Sequence, residues 1–222
     1  GLGPGIQLRI GELDVQGLSD LIHDQGIRAV VDATHPYASA ISAIAWSVCR
    51  RIGTPYVAFD RPSAVADVSA IHWADDHTHA AALACLFGRP VLLTIGVRNL
   101  SHYVAEARLH GVKLVARVLD HPFSIEACSR AGLELDEITR ANGPFSIMEN
   151  TSLIMRHHIG VLVTKDSGDA GGVGTKIAAA RDSGCRVVIV KRPPRPKAGH
   201  SSIPALMKAL RYGLASDPRG GR

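Results

Sequence analysis

Aromatic residues are scarce, 5% of a chain that is 46% hydrophobic. Ala, Val, Ile and Leu must therefore build the core, which suits strands buried on both faces, as in parallel α/β sheets. No apolar run approaches the ~18 residues of a spanning helix, so no membrane span is expected. The basic, apolar, small-residue order of a secretory signal is also missing from the start, and the cytoplasm is the expected compartment. Only four cysteines occur, Cys49, Cys85, Cys128 and Cys185, and none forms a C-x-x-C. They read as reduced core or helix residues, not as a disulfide or zinc framework. His72, Asp75, Asp76, His77 and His79 crowd together without metal-ligand spacing. They read as a solvated face, and no metal is expected.

Net charge is +5. A nucleic-acid groove needs basic residues alternating with aromatics, and no such stretch exists. The cations instead stand singly near predicted strand ends, a pattern that suits a small anionic ligand.

What is present is alternation. Helical spacing marks 15–25, 36–51, 78–87, 99–110, 123–131, 145–157, 176–183 and 203–214. Short apolar strands are expected over 27–31, 55–59, 90–94, 112–119, 135–140, 159–164 and 186–190. This rhythm predicts an α/β fold of two Rossmann-like lobes, each a parallel sheet flanked by helices, with a cleft between them. The expected division is 1–87 for the N-terminal lobe, 88–215 for the C-terminal lobe and 216–222 for a flexible tail.

Four strand ends carry chemistry, and in open α/β sheets ligands sit there. The first is Asp32-Ala-Thr34-His35-Pro36-Tyr37, where Asp32 or Thr34 can cap the next helix and Pro36 fits its first turn. The second is Thr94-Ile-Gly96-Val-Arg98, a glycine turn into a helix N-terminus that can present backbone N–H groups to an anion. The third is Arg140-Ala-Asn142-Gly143-Pro-Phe, with Glu149 beyond it. The fourth runs from Thr164 through Lys165-Asp166-Ser167-Gly168 to Lys176, with four glycines in seven residues that allow close backbone approach. It is not a Walker A loop, because Ile177 follows the lysine. Gly1-Leu-Gly-Pro-Gly imitates a dinucleotide fingerprint but follows no strand.

Taken in order, these segments resemble the precorrin-6A reductases of cobalamin (vitamin B12) synthesis. Residues 30–38 resemble their strand and D-A-T-H-P-F-A turn. Gly53-Thr54-Pro55-Tyr56 and Arg61-Pro62 resemble the next strand and its R-P. Leu92 to Gly96 is similar to L-L-T-T-G, Gly143-Pro144-Phe145 with Glu149 to R-G-P-F-x-x-x-E, and Val163 to Gly168 with Lys176 to V-T-K-[ND]-S-G…K. Residues 187–193 match the closing strand and R-P. The family arginine beside Gly-Pro-Phe is Asn142 here, with Arg140 nearby. The family's opening strand and G-G-T-x-E loop have no counterpart before Gly1, so the chain reads as shortened at that end.

The resemblance implies a two-domain reductase. NADPH, or NADH in some relatives, gives a hydride to a double bond of the precorrin-6A macrocycle and forms precorrin-6B. It implies Asp32, Thr34, His35, Tyr37, Thr94, Gly96 and Arg98 on the cofactor side. Arg140, Lys165, Lys176 and Arg192 would meet carboxylates or phosphates, and with Gly143, Ser167 and Gly168 they form the expected substrate side. Asp166, His35 and Lys165 are the catalytic candidates, the first two as proton donor. The expected partner is the tetrapyrrole. Neither nucleic acid nor membrane is expected, and a monomer is, with other enzymes of the pathway as further partners. The rival readings are a nucleotide- or anion-binding module without catalysis, a shortened inactive homologue, and a macrocycle methyltransferase.

Overall fold

The chain forms strands where β-branched and leucine residues cluster and helices where small residues recur at helical spacing. A computed structural model describes residues 5–65, 71–168 and 171–215. The tail over 216–222, most of the initial glycine stretch, and Asp169 and Ala170 of the glycine-rich loop lie outside the described residues. The first elements are α1 (Val15–Asp24), β1 (Val30–Asp32), α2 (Ser39–Ile52), β2 (Tyr56–Ala58), β3 (Ile71–Ala74) and α3 (His77–Leu86). Then come β4 (Val91–Leu93), α4 (Leu100–His110), β5 (Leu114–Val118), α5 (Pro122–Ala131), β6 (Ile138–Arg140) and α6 (Ile147–Arg156). The series closes with β7 (Val161–Lys165), α7 (Val173–Asp182), β8 (Arg186–Val190) and α8 (Ile203–Ala215).

The described residues fall into two units. One comprises those up to Arg61 together with those from Pro194 onward, and the other runs from Pro62 to Pro193. This differs from the expected division at 87/88 for two reasons. β3 hydrogen-bonds β8 throughout its length, so it belongs with the second sheet. The closing helix α8 packs on β2, so it belongs with the first unit.

In the first unit β1 and β2 pair in parallel, Asp32 opposite Ala58. Leu18, Ile22, Val48, Cys49 and Tyr56 form its core. Asp14 caps α1 by accepting the Gly17 N–H at 2.7 Å. The proposed capping of α2 by Asp32 or Thr34 does not occur. That helix begins at Ser39, with Ala38 before it and no side-chain cap. Asp32 is engaged elsewhere, as described below.

The second unit holds a six-stranded sheet, every pairing parallel, in the order β3-β8-β7-β4-β5-β6. Central strands β4, β5 and β7 are mostly apolar and almost wholly buried, as two-sided coverage by helices requires. β3 escaped sequence detection because an edge strand of the form Ile-His-Trp-Ala lacks a clear apolar run. α7 begins at Val173, three residues before the expected start, which puts Lys176 in its first turn. From β4 the chain moves outward to β5 and β6, whereas from β7 it moves to β8 on the other side. The carboxyl ends of β4 and β7 are thus a topological switch point, where ligands bind in folds of this class. No described helix is long and apolar enough to cross a membrane. All four cysteines are buried and unbridged.

Candidate active site

In the first unit the strand β1 ends on Asp32, which is 3% exposed. One carboxylate oxygen accepts the Thr34 N–H at 3.0 Å and the Thr34 hydroxyl at 2.6 Å. The other accepts the Tyr56 hydroxyl at 2.6 Å and Nη1 of Arg195 at 3.3 Å. Burial pushes this carboxyl up, but hydrogen bonds from Thr34, Tyr56 and Ser42 outweigh it and hold the group at about 2. The Tyr56 phenol is raised in turn, by burial first and then by its bond to Asp32. Arg195 also meets Asp60 at 3.0 Å through Nε and the Thr34 carbonyl at 3.2 Å through Nη2. The motif's aspartate therefore faces inward and stiffens the turn. Its neighbours His35 and Tyr37 are half-buried, with the Tyr37 N–H donated to His35 Nδ1 at 3.2 Å. That bond leaves a neutral His35 with its proton on Nε2.

In the second unit the switch point is clamped from within. Thr94, just beyond β4, gives both its N–H and its hydroxyl to the Val163 carbonyl on β7, at 2.9 and 3.1 Å. Gly96 follows with φ 79°, a conformation that a side chain would strain. Beyond β7, Asp166 is buried and receives Arg192 as a fork, Nε at 2.9 Å and Nη2 at 3.0 Å. Arg192 Nε also reaches the Asp166 carbonyl at 2.8 Å. The closeness allowed by the glycines is spent inside the loop: a Cβ on Gly171 would collide with the Ser167 hydroxyl.

A cavity of about 610 Å³ opens at this rim. Thr94, Gly96, Arg117, Gly143, Phe145 and Lys176 are among its walls. Three cations near it have lost part of their proton affinity. Burial, then Arg117 and Lys165, push the Lys176 ammonium down to about 8. Burial, with Glu149 opposing, brings the Arg117 guanidinium to about 10. Burial and nearby Arg98 lower Lys165. Such a concentration of buried positive charge, at the ligand position of the fold, is the arrangement that receives an anion.

The structure thus brings Thr94, Gly96, Gly143 and Lys176 to one cavity. Asp32, Thr34, His35 and Tyr37 stand at the end of β1 in the other unit. Arg140 is exposed and 3.9 Å from Asp120, and the Asn142 amide oxygen accepts the Asp120 N–H. Two arginines escaped sequence reasoning. Arg117 was visible as a lone cation in the strand Leu-Val-Ala-Arg-Val, and Arg195 as the cation inside Pro-Arg-Pro. His77 departs from the solvated face expected for its segment. It lies half-buried, Nδ1 2.9 Å from the Tyr103 hydroxyl, and burial, then Lys165 and His102, push it down to about 4. Among the described residues no group of three or more His, Cys, Asp or Glu side chains converges as metal ligands would.

Known proteins resemble this chain in sequence and in fold. Over 189 residues the chain is 30% identical to a cobalt-precorrin-6A reductase of Priestia megaterium, covering 85% of this chain and 74% of that one. Over 194 residues it is 34% identical to a precorrin-6A reductase of Rhodococcus erythropolis, covering 86% and 74%. The solved structure of a CobK precorrin-6A reductase superimposes with a TM-score of 0.74 at 29% identity, over 96% of this chain and 84% of that chain. The family model described as precorrin-6x reductase CbiJ/CobK matches residues 2–211, and the chain belongs to that family.

Proposed function

We propose that this chain takes a hydride from NADPH and places it on a double bond of precorrin-6A, giving precorrin-6B in cobalamin biosynthesis. A reductase of the precorrin-6A type is what its family and relatives indicate. The observation that carries the reading is the cation-walled cavity at the switch point of the second sheet, which fits a macrocycle ringed with carboxylates.

Each unit, taken by itself, offers groups of the kind that hold a nicotinamide nucleotide. In the first unit, Thr34, His35 and Tyr37 offer half-buried polar groups at the carboxyl end of a parallel strand. Asp32 serves them from behind by fixing Thr34. In the second, Thr94, Gly96 and Arg98 supply a turn with open backbone and a cation. Bound NADPH would supply the hydride. The chain must orient the substrate and deliver a proton to the neighbouring carbon. Gly143, Lys165, Ser167, Gly168 and Lys176 are the substrate residues of this reading. Arg192 serves by holding Asp166 and the loop around it, and Arg140 extends the positive rim from the surface. Among Asp166, His35 and Lys165, the lysine best suits proton delivery: it stands at the end of β7 with its ammonium made more acidic by burial and by Arg98. Asp166 is committed to Arg192. A monomeric cytoplasmic enzyme belongs to the same proposal, and four buried, unbridged thiols suit a reducing compartment.

The test is turnover. Purified chain is mixed with precorrin-6A, or its cobalt form, and NADPH or NADH, and nicotinamide absorbance is followed. Oxidation of NADPH that depends on the macrocycle supports the reading. Absence of oxidation with either nucleotide and either macrocycle, in a folded protein, overturns it.

A further inference from the structure

Arg117 is a buried cation within a central strand. It lies on β5, it is 8% exposed, and Lys176 on α7 walls the same cavity. Two contacts fix its head group. Nη1 donates to the Asn150 side-chain oxygen at 2.8 Å. Asn150 is itself buried and oriented, because its amide donates to the Ser146 carbonyl at 2.7 Å. The guanidinium carbon lies 4.0 Å from the centre of the Phe145 ring, a stacked cation–π geometry. What remains is Nη2, buried and without a hydrogen-bond partner among the described residues. A buried unpaired donor on a charged group is costly, and where one persists at a cavity wall a ligand group is its expected partner.

The charge around it points the same way. Among the described residues no carboxylate lies within ion-pair distance of Arg117 or Lys176. The acid that does influence Arg117, Glu149, is occupied by the cap of α6, accepting the Ser146 N–H and hydroxyl at 2.7 Å each. The Lys176 ammonium meets only a neutral group, the Gly171 carbonyl at 2.8 Å. The Thr175 hydroxyl is turned away onto the carbonyls of Phe145 and Gly172. Beside the two cations the wall is apolar, formed by Val118, Leu119, Pro144 and Phe145.

We infer that this corner of the cavity is a subsite for one carboxylate arm of a tetrapyrrole: one oxygen accepts from the Arg117 guanidinium, the other from the Lys176 ammonium, and the ring edge lies on Phe145 and its apolar neighbours. Asn150 and Phe145 are positioning residues, since they touch the guanidinium and set its plane. A single carboxylate fits two converging donors on an apolar wall. A phosphate would call for the cradle of backbone N–H groups and hydroxyls that the Thr175 hydroxyl, bonded to carbonyls, does not join. The inference rests on the reductase reading for the identity of the macrocycle but concerns binding alone.

The test uses uroporphyrin, a fluorescent tetrapyrrole octacarboxylate, titrated into the full chain, with NADPH titrated in parallel. Arg117→Met and Lys176→Met are compared with the unaltered protein, each checked for an unchanged melting curve. The expected result is saturable uroporphyrin binding that weakens about 10- to 100-fold in either variant while NADPH affinity stays the same, the loss typical of a charge-assisted bond. If Arg117→Met fails to fold, Lys176→Met carries the decision. Failure of the unaltered chain to bind uroporphyrin overturns the inference, as does binding that both variants leave intact. Weakened NADPH binding with unchanged uroporphyrin binding overturns it in favour of a cofactor phosphate. Weakened uroporphyrin binding in a chain that never oxidises NADPH sustains the subsite and overturns the reductase reading instead.

Discussion

Replacing Asp32 with asparagine tests whether the first unit is held by its buried carboxylate. The substitution keeps shape and removes charge from a group that is 3% exposed and accepts four hydrogen bonds, one of them from Arg195. The carboxyl's affinity for a proton falls from an ordinary 3.8 to about 2 in the folded chain. At ~1.4 kcal/mol per tenfold change, that difference is about 2–3 kcal/mol. The sign is that of a depressed acid: the stabilisation is fully present above about pH 4–5 and disappears as pH falls toward 2. Trp46 makes it measurable, because its ring stands 5.6 Å from that of Tyr56, which donates to Asp32. In a Trp73→Phe background, urea unfolding followed by Trp46 emission reports the first unit. The expected outcome is a loss of about 2–3 kcal/mol in Asp32→Asn at pH 7, and a gap that closes as both proteins approach pH 2. A variant as stable as its parent at pH 7, with the same acid dependence, would refute the reasoning.

Three further outcomes are expected. Arg192→Met leaves Asp166 buried without its fork and should lower stability by about 3 kcal/mol, seen as a lower denaturant midpoint. Gly171→Ala forces the Ser167 side chain aside and should raise KM for the macrocycle at least about 10-fold, whereas Gly174→Ala, with nothing within 4 Å of the added carbon, should leave it unchanged. Lys165→Met should reduce kcat about 100-fold or more, the scale of a lost general acid, with little change in NADPH affinity measured by nicotinamide fluorescence.

The α/β architecture was legible because strands buried on both faces need continuous apolar runs, and 90–94, 112–119, 159–164 and 186–190 supply them. Edge strand β3 was not, since one-sided pairing tolerates His72 and a half-buried Trp73. The division between units was hidden for a related reason: nothing local in residues 194–215 records that α8 returns to β2. At the site, motif reading located the loops but not the partners within them. Asp32 looked like a ligand group or a helix cap, and only the fold reveals that Arg195, 163 positions away, neutralises it. Arg192 and Asp166 looked like two separate functional groups and are one ion pair. Arg117 carried a visible signal, an arginine among four apolar residues of a strand, that gains meaning only when Phe145 and Asn150 are seen to hold it.

The central claim is hydride delivery to the macrocycle, and isotope transfer tests it most directly. The chain is incubated with precorrin-6A and NADPH carrying deuterium at the transferable position of the nicotinamide ring, and the product is weighed by mass spectrometry. The account predicts a reduced macrocycle with one deuterium bound to carbon and an equal amount of NADP⁺. Recovery of unreduced macrocycle, or of a reduced one without the label, would contradict it.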